Sequence, residues 1–293
     1  MDMRDQLLTI DGKRLRGISD NEHITHIVEL FAAGSRLVIA QERVPDKSCE
    51  RVALPELLRA IDVRGAIISM DAHYAYAQDL GLILHAGADY IGGIKGNQGN
   101  LEAEVKNYFD QAHAIHYDSD ELKCHKTLDK GHGRIESRHI CVTQDLEWLP
   151  QRETWELKSL VEVRSERMTN NKIEHGLLYY GSSRTGTPEQ FANWIRGHWD
   201  IENGLHDVAD VVFSEDASVV DTCHAAENMA LFRRLAMNII KTVDPKRGIT
   251  DSRRNATFEP ITYEDYCPDY LQENVKTFLS EDPGNFPEIF CDF

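Results

Sequence analysis

Along the first hundred residues, apolar positions recur in short blocks whose period switches between that of a strand and that of a helix. Leu7–Ile10 is a short apolar run ending in Asp11-Gly12. His26–Ala32 and Arg36–Val44 read as two further strands, with Ala33-Gly34-Ser35 as a hairpin turn between them. Within Val52–Ile61, positions 54, 57, 58 and 61 are apolar at helical spacing. Ala66–Met70 is an apolar run ending at Asp71, and Ala75–Ala86 reads as a helix stopped by Gly87. Tyr90–Ile94 is a strand running into Lys95, and Leu101–Phe109 is amphipathic, with 101, 105, 108 and 109 on one side. The order β-β-β-α-β-α-β-α predicts an α/β fold, a mixed sheet with helices on its faces.

The texture then becomes β-rich. Ile135–Val142, Ser159–Arg167 and His175–Gly181 are strand-like, with Asn170-Asn171 as a turn between the last two. Helices resume at Thr187-Pro188-Glu189, where Thr187 caps and Pro188 occupies the first turn. The helix near 200 turns apolar positions 201, 205, 208 and 212 inward, and a later one, about 223–242, is apolar at 231, 232, 235, 236, 239 and 240. These shifts divide the chain into a first part, 1–116, a β-rich insertion, 117–186, a helical completion, 187–245, and a tail, 246–293.

Composition narrows the function classes. With 41% hydrophobic and 28% charged residues over 293 positions, the chain is globular and long enough for a sizeable core. Its net charge of −17 argues against non-specific polyanion binding over the whole surface. Residues 250–293, with ten acids and three bases, deepen that acidity. No apolar run of about 18 residues predicts a membrane span, and Met1-Asp2-Met3-Arg4-Asp5 carries acids where a signal peptide would be basic and then apolar. The six cysteines, at 49, 124, 141, 223, 267 and 291, form no Cys-x-x-Cys pair. They read as reduced thiols of a cytoplasmic protein, not as a zinc site or a disulfide framework.

Three carboxylates stand where chemistry could occur. Asp11 lies at the end of, or within, the first strand, Asp71 follows the fourth, and Glu202 rides the helix near 200. Adjacent strands would bring the two aspartates to one sheet edge, where open α/β folds place their ligands. Clustered carboxylates repel one another unless cations sit between them, and Mg²⁺ or Mn²⁺ is their natural occupant. Such ions serve phosphodiester chemistry. The plainer alternatives are an Asp-Gly turn at Asp11, a helix cap at Asp71 and a solvated Glu202. His198, Glu202, His206 and Asp210 form an i,i+4 stripe, but its histidines lie two turns apart, unlike a zinc-binding His-Glu-x-x-His. Lys95-Gly96-Asn97-Gln98-Gly99-Asn100 is either a plain loop or a phosphate-binding one. Arg134, Arg138 and Arg196, with His132, are the other bases that could meet a polyanion.

Taken together, these segments resemble a known family. They are Ile10-Asp11-Gly12-Lys13 with Leu15-Arg16-Gly17, Lys47-Ser48 with Glu50, Asp71-Ala72, and Gly87-Ala88-Asp89-Tyr90 leading to Lys95-Gly96-Asn97-Gln98. His132-Gly133-Arg134-Ile135-Glu136, His198-Trp199-Asp200-Ile201-Glu202-Asn203, and Ala226-Glu227-Asn228 with Leu231-Arg233-Arg234-Leu235-Ala236 complete the set. The pattern is similar to the bacterial DDE insertion-sequence transposases that include the H-repeat-associated proteins. The resemblance implies a ribonuclease-H-like core in which Asp11, Asp71 and Glu202 are the catalytic, metal-binding triad, with the β-rich insertion ahead of the Glu helix. It implies Mg²⁺ or Mn²⁺ as cofactor and DNA as partner, both transposon ends and target, contacted by Lys95, Asn97, Gln98, Arg134 and Arg196. The reaction implied is nicking at transposon ends, then attack of the freed 3′-hydroxyl on target DNA, and synapsis of two ends implies a homodimer. The chain departs from the family pattern at Tyr76, where a Gln is usual, at Asp207, where a large aromatic is usual, and at Val219 and Val220, where bases are usual. Family members also carry a further segment ahead of the first Asp. A second reading therefore stays open: a truncated copy, a non-catalytic remnant, or an interaction module recruited with the same fold.

Overall fold

The computed structural model describes residues 3–15, 25–45, 47–114, 122–131, 133–169, 172–220 and 224–258. Asn170-Asn171, His132 and the tail from 259 lie outside the described residues. The chain divides into two compact units, Met1–Leu235 and Ala236–Phe293. The first unit contains a nine-stranded mixed sheet.

Strands β1 (Leu7–Leu15), β2 (Thr25–Ala32) and β3 (Leu37–Val44) form an antiparallel meander. After helix α1 (Leu54–Ala60), strand β4 (Ile67–Met70) returns parallel to β1, with Ile10 opposite Met70. Helix α2 (Ala77–His85) then carries the chain to β5 (Asp89–Ile94), parallel to β4. All four residues of β4 are buried, as expected of a central parallel strand covered on both faces. Helix α3 (Leu101–Ala114) precedes four antiparallel strands: β6 (Leu122–Gly131), β7 (Arg134–Thr143), β8 (Ser159–Thr169) and β9 (Lys172–Ser182). A single-turn helix, α4 (Arg152–Trp155), interrupts them. Because β9 pairs with β5, these strands continue the same sheet, in the order β3-β2-β1-β4-β5-β9-β8-β7-β6.

Each face has its own core. On one, Leu8, Ile10, Leu30 and Ile68 pack with Leu54 and Leu57 of α1, Leu80 and Ile83 of α2, and Val105 and Phe109 of α3. On the other, Ile67, Ile91, Ile140, Val142 and Val161 meet Phe191 and Ile195 of helix α5 (Pro188–His198). Thr187 caps α5 in a reciprocal box. Its side chain accepts from the Gln190 N–H, while its own N–H donates to Gln190 Oε1 at 2.9 Å.

The structure departs from the sequence pattern in four places. Asp11-Gly12 is not a turn, since β1 continues four residues beyond Asp11. The β-rich stretch has four strands, not three. The extra one, β6, ends the sheet and is mostly exposed, so its sequence Leu-Lys-Cys-His-Lys-Thr lacks an apolar alternation. The helix near 200 contains a π-helical turn over Glu202–His206, followed by α6 (Asp207–Val211). The wide turn shifts the inward stripe by one position, so Ile201, Leu205 and Ala209 are buried while Val208 is only half-buried. Finally, helix α7 (Ala225–Val243) does not turn the large apolar residues of the expected stripe inward. Leu231, Phe232 and Leu235 are exposed, whereas Ala226 and Ala230 pack on Leu15 and Ile27, and Arg234 is buried one turn on. Helix α8 (Ile249–Phe258) belongs to the second unit.

Candidate active site

The strand register explains why two aspartates meet. Ile10 and Met70 are paired on neighbouring parallel strands, and the next residues are Asp11 and Asp71. Asp71 follows β4 directly, and its Oδ1 accepts from the His73 N–H at 2.6 Å, which turns the chain. Glu202 begins the π-turn and lines one small cavity of about 140 Å³ together with Asp71, Lys95, Tyr180 and His198. Burial pushes the Asp11 carboxyl up to about 6; Glu202 and Asp71 push in the same direction, while His206 and the Gly12 N–H oppose. Asp11 thus feels both other carboxylates, in a buried setting that penalises its charge.

Asp11 is backed by a buried chain of charges. Its strand partner on β2 is Glu29, and the His206 imidazole reaches both, with Nδ1 3.7 Å from Asp11 Oδ2 and Nε2 3.0 Å from Glu29 Oε2. Arg234 Nε donates to Glu29 Oε1 at 2.5 Å, and its Nη1 donates to Glu215. Burial alone would raise the Glu29 carboxyl; Arg234 and His206 outweigh it and hold the group at about 2. Glu29 is therefore a fixed anion that orients His206 against Asp11. Of these residues only Arg234 falls within a family-like segment, and charge conceals that Glu29, Glu215 and Arg234 are core residues.

Gly12 serves the same spot from the other face. A Cβ there would stand 2.4 Å from Glu50 Oε1. Glu50 is itself buried and accepts from the Tyr74 hydroxyl at 3.0 Å, so it has little room to move. Gly12→Ala is expected to lower stability by about 1–3 kcal/mol through overpacking. Urea unfolding checks this, and an unchanged midpoint would show that Glu50 can swing away.

Comparison with known proteins gives the family. A family model described as "Transposase DDE domain" matches residues 5–239. The chain belongs to this family. The DDE domain is 33% identical over 266 residues to the "H repeat-associated putative transposase YhhI" of Escherichia coli K12, spanning 86% of this chain and 69% of that one. It is 32% identical over 269 residues to "Putative transposase YncI" of Escherichia coli O157:H7, spanning 89% and 68%. Among solved structures, a piggyBac transposase synaptic complex with hairpin DNA aligns with a TM-score of 0.52 at 12% identity, covering 96% of this chain and 59% of that one, a likeness of fold.

The basic residues of the DDE domain fall into two groups. Lys95 is exposed beside the Asp71–Glu202 cavity. Asn97 and Gln98 spend amide donors on the loop after Asp71, both reaching Ala72 O, at 2.7 and 2.9 Å, and Gln98 also Ala75 O at 3.3 Å. Those two residues therefore position the loop that follows Asp71. Tyr76, the departure from the family pattern, lies in the same loop with the Arg51 guanidinium 4.0 Å from its ring. Arg134 and Arg196, joined by Arg138 and Arg167, line a larger cleft of about 540 Å³ that shares Trp199 and Glu202 with the small cavity. Within it, Arg196 Nη1 pairs with Asp129 at 2.5 Å and Arg138 with Glu136 at 2.8 Å.

The histidine stripe does not hold together as a site. His198 Nδ1 lies 3.1 Å from Ser69 Oγ on β4, and burial lowers the ring to about 4, whereas His206 faces Asp11 and Glu29. Among the described residues, neither His198, Glu202 and His206 nor Asp11, Asp71 and Glu202 bring three ligand atoms within 4.8 Å of one another. The two histidines lie two turns apart and face different partners. The reading of all six cysteines as separate thiols also needs correction, because Cys124 and Cys141 face each other across β6 and β7 and are joined as a disulfide. Strand register, invisible in their spacing, brings them together. No helix among the described residues is long and apolar enough to cross a membrane.

Proposed function

We propose that this chain is the catalytic domain of a transposase that cuts and joins DNA strands with divalent metal, on a ribonuclease-H-like core interrupted by the β6–β9 stretch. The observation that carries the reading is the placement of Asp11 and Asp71 side by side on paired parallel strands, with Glu202 lining the same cavity as Asp71 and both carboxylates acting on Asp11, which burial raises to about 6. An all-oxygen donor set of this charge fits Mg²⁺ or Mn²⁺ and suits neither zinc nor iron. Asp11, Asp71 and Glu202 would hold the metal, which when bound supplies an activated water or 3′-hydroxyl and neutralises charge on the leaving oxygen.

The chain's own residues do the rest. His206, fixed by Glu29 and Arg234, keeps the Asp11 carboxylate oriented. Asn97 and Gln98 hold the loop after Asp71 in place. Lys95 beside the carboxylates, and Arg134 and Arg196 in the adjoining cleft, would take phosphates of the DNA, Arg196 by exchanging its bond to Asp129. This local basic lining answers the objection from a net charge of −17, which is a property of the whole surface. The setting we propose is cytoplasmic.

The test is nicking of supercoiled plasmid by the purified chain in Mn²⁺, with Glu202→Gln in parallel. Nicking by the native chain that falls to background in the variant is expected. Equal nicking by both would place the chemistry elsewhere. No nicking by either would favour the non-catalytic reading, a remnant or recruited module of the same fold.

A further inference from the structure

One cluster of metal-ligating side chains stands apart from the carboxylates. In the sheet register Cys124 of β6 lies opposite Cys141 of β7, and Cys141 lies opposite Glu162 of β8, so the three share one row on one face. His139, two residues before Cys141 on the same face, brings Nδ1 to 3.9 Å from Cys141 Sγ. His113, near the end of α3, covers the row from above, its Nε2 2.7 Å from Glu162 Oε1. The ligand atoms of Cys124, His139 and Cys141 lie within 4.8 Å of one another, and so do those of His113, Cys141 and Glu162.

We propose that the reduced Cys124–Cys141 pair, with His139 and His113, is a Zn²⁺ site, and that the disulfide is its oxidised, metal-releasing form. Two thiolates and two imidazoles are a donor set that zinc takes in tetrahedral structural sites. The ligands come from β6, β7 and α3, so the ion would tie the last hairpin of the sheet to the helix above it. Glu162, already bonded to the His113 ring, sits behind that ligand as the carboxylate that fixes its orientation. Arg164 holds the same carboxylate through two bonds, at 2.7 and 3.0 Å, so the support is rigid.

The redox step runs by thiol–disulfide exchange. Cys124 is exposed and Cys141 is fully buried, so a low-molecular-weight disulfide such as glutathione disulfide meets Cys124 first. The Cys124 thiolate attacks it, releasing one glutathione thiolate, and the Cys141 thiolate then attacks the mixed disulfide, releasing the second. Two protein thiols are oxidised, one glutathione disulfide is reduced to two thiols, and the protons follow the departing thiolates. Reduction by excess thiol reverses both steps.

The test uses the full chain reduced with a phosphine and titrated with Co²⁺ as a spectroscopic stand-in for zinc. About one Co²⁺ per chain should bind with thiolate-to-metal absorption and be displaced by Zn²⁺. Prior oxidation with glutathione disulfide should block it, as should Cys124→Ser or His139→Ala. The native chain supplies an independent readout that needs no variant. Alkylation of Cys124, followed by mass spectrometry, should slow about tenfold or more when Zn²⁺ is present. Absorption that survives Cys124→Ser, or Cys124 alkylation at one rate with and without Zn²⁺, overturns the proposal.

Discussion

Arg234→Met is expected to destabilise the chain by about 3–5 kcal/mol, the range for removing one partner of a buried ion network. Arg234 is 1% exposed and lies between Glu29, at 0%, and Glu215, at 2%. Without the guanidinium, two carboxylates stay in the core, Glu29 with only the His206 ring beside it and Glu215 with Arg233 Nη1 at 3.7 Å. The triple variant Glu29→Gln, Glu215→Gln, Arg234→Met removes the uncompensated charge and should recover most of the loss. Urea midpoints of the two variants against the native chain decide the matter. A single variant within about 1 kcal/mol of native would mean that the network is not sealed from water. The same network sets an acid limit. Because Glu29 is held at about 2 in the folded chain against 4.5 ordinarily, its stabilisation is present above pH 4.5 and is lost as pH falls toward 2.

Asp11→Asn is expected to have the opposite sign, raising the stability of the metal-free chain at pH 7.5 by about 1–3 kcal/mol. Burial raises the Asp11 carboxyl from 3.8 to about 6, so the folded chain keeps a proton there that the unfolded chain has already released. Its contribution to stability is full below pH 3.8 and is lost as pH rises through about 6. Asparagine carries no such penalty. Adding Mn²⁺ should reverse the order, since a bound cation offsets the repulsion in the native site and finds a poorer one in the variant. Thermal midpoints at pH 7.5 with and without Mn²⁺ measure both effects. A variant less stable than native in the absence of metal would contradict the strain assigned to Asp11.

The sheet's first half was legible in the sequence for simple reasons. β2 and β3 flank a glycine turn at Ala33-Gly34-Ser35, and β4 and β5 are short apolar runs between helices stopped by Ile61 and Gly87. The position of Asp11 was legible only in outline, because Asp-Gly is a frequent turn pair. Its glycine is there instead to clear Glu50, a contact made through the fold. The π-turn at Glu202–His206 could not be read from a 3.6-residue template, since one extra residue per turn leaves no mark in composition. Glu29, Glu215 and Arg234 were hidden for a related reason. Charged residues are counted as surface, and Glu29 and its partner Arg234 are 205 positions apart. Arg234 also accounts for the misread face of α7: the part packed on β1 and β2 is two alanines, with the buried charge one turn on, while Phe232 is exposed. Cys124 and Cys141 meet only through the β6–β7 register, and β6 carries no apolar alternation to announce it.

The most direct measurement is calorimetric titration of Mn²⁺ into the native chain and into Asp71→Asn, with circular dichroism verifying that both are folded. If Asp11, Asp71 and Glu202 share divalent metal, the native chain shows saturable binding that the single carboxamide removes or weakens about 10–100-fold or more. Equal binding by the two proteins, or none by a folded native chain, would contradict the account.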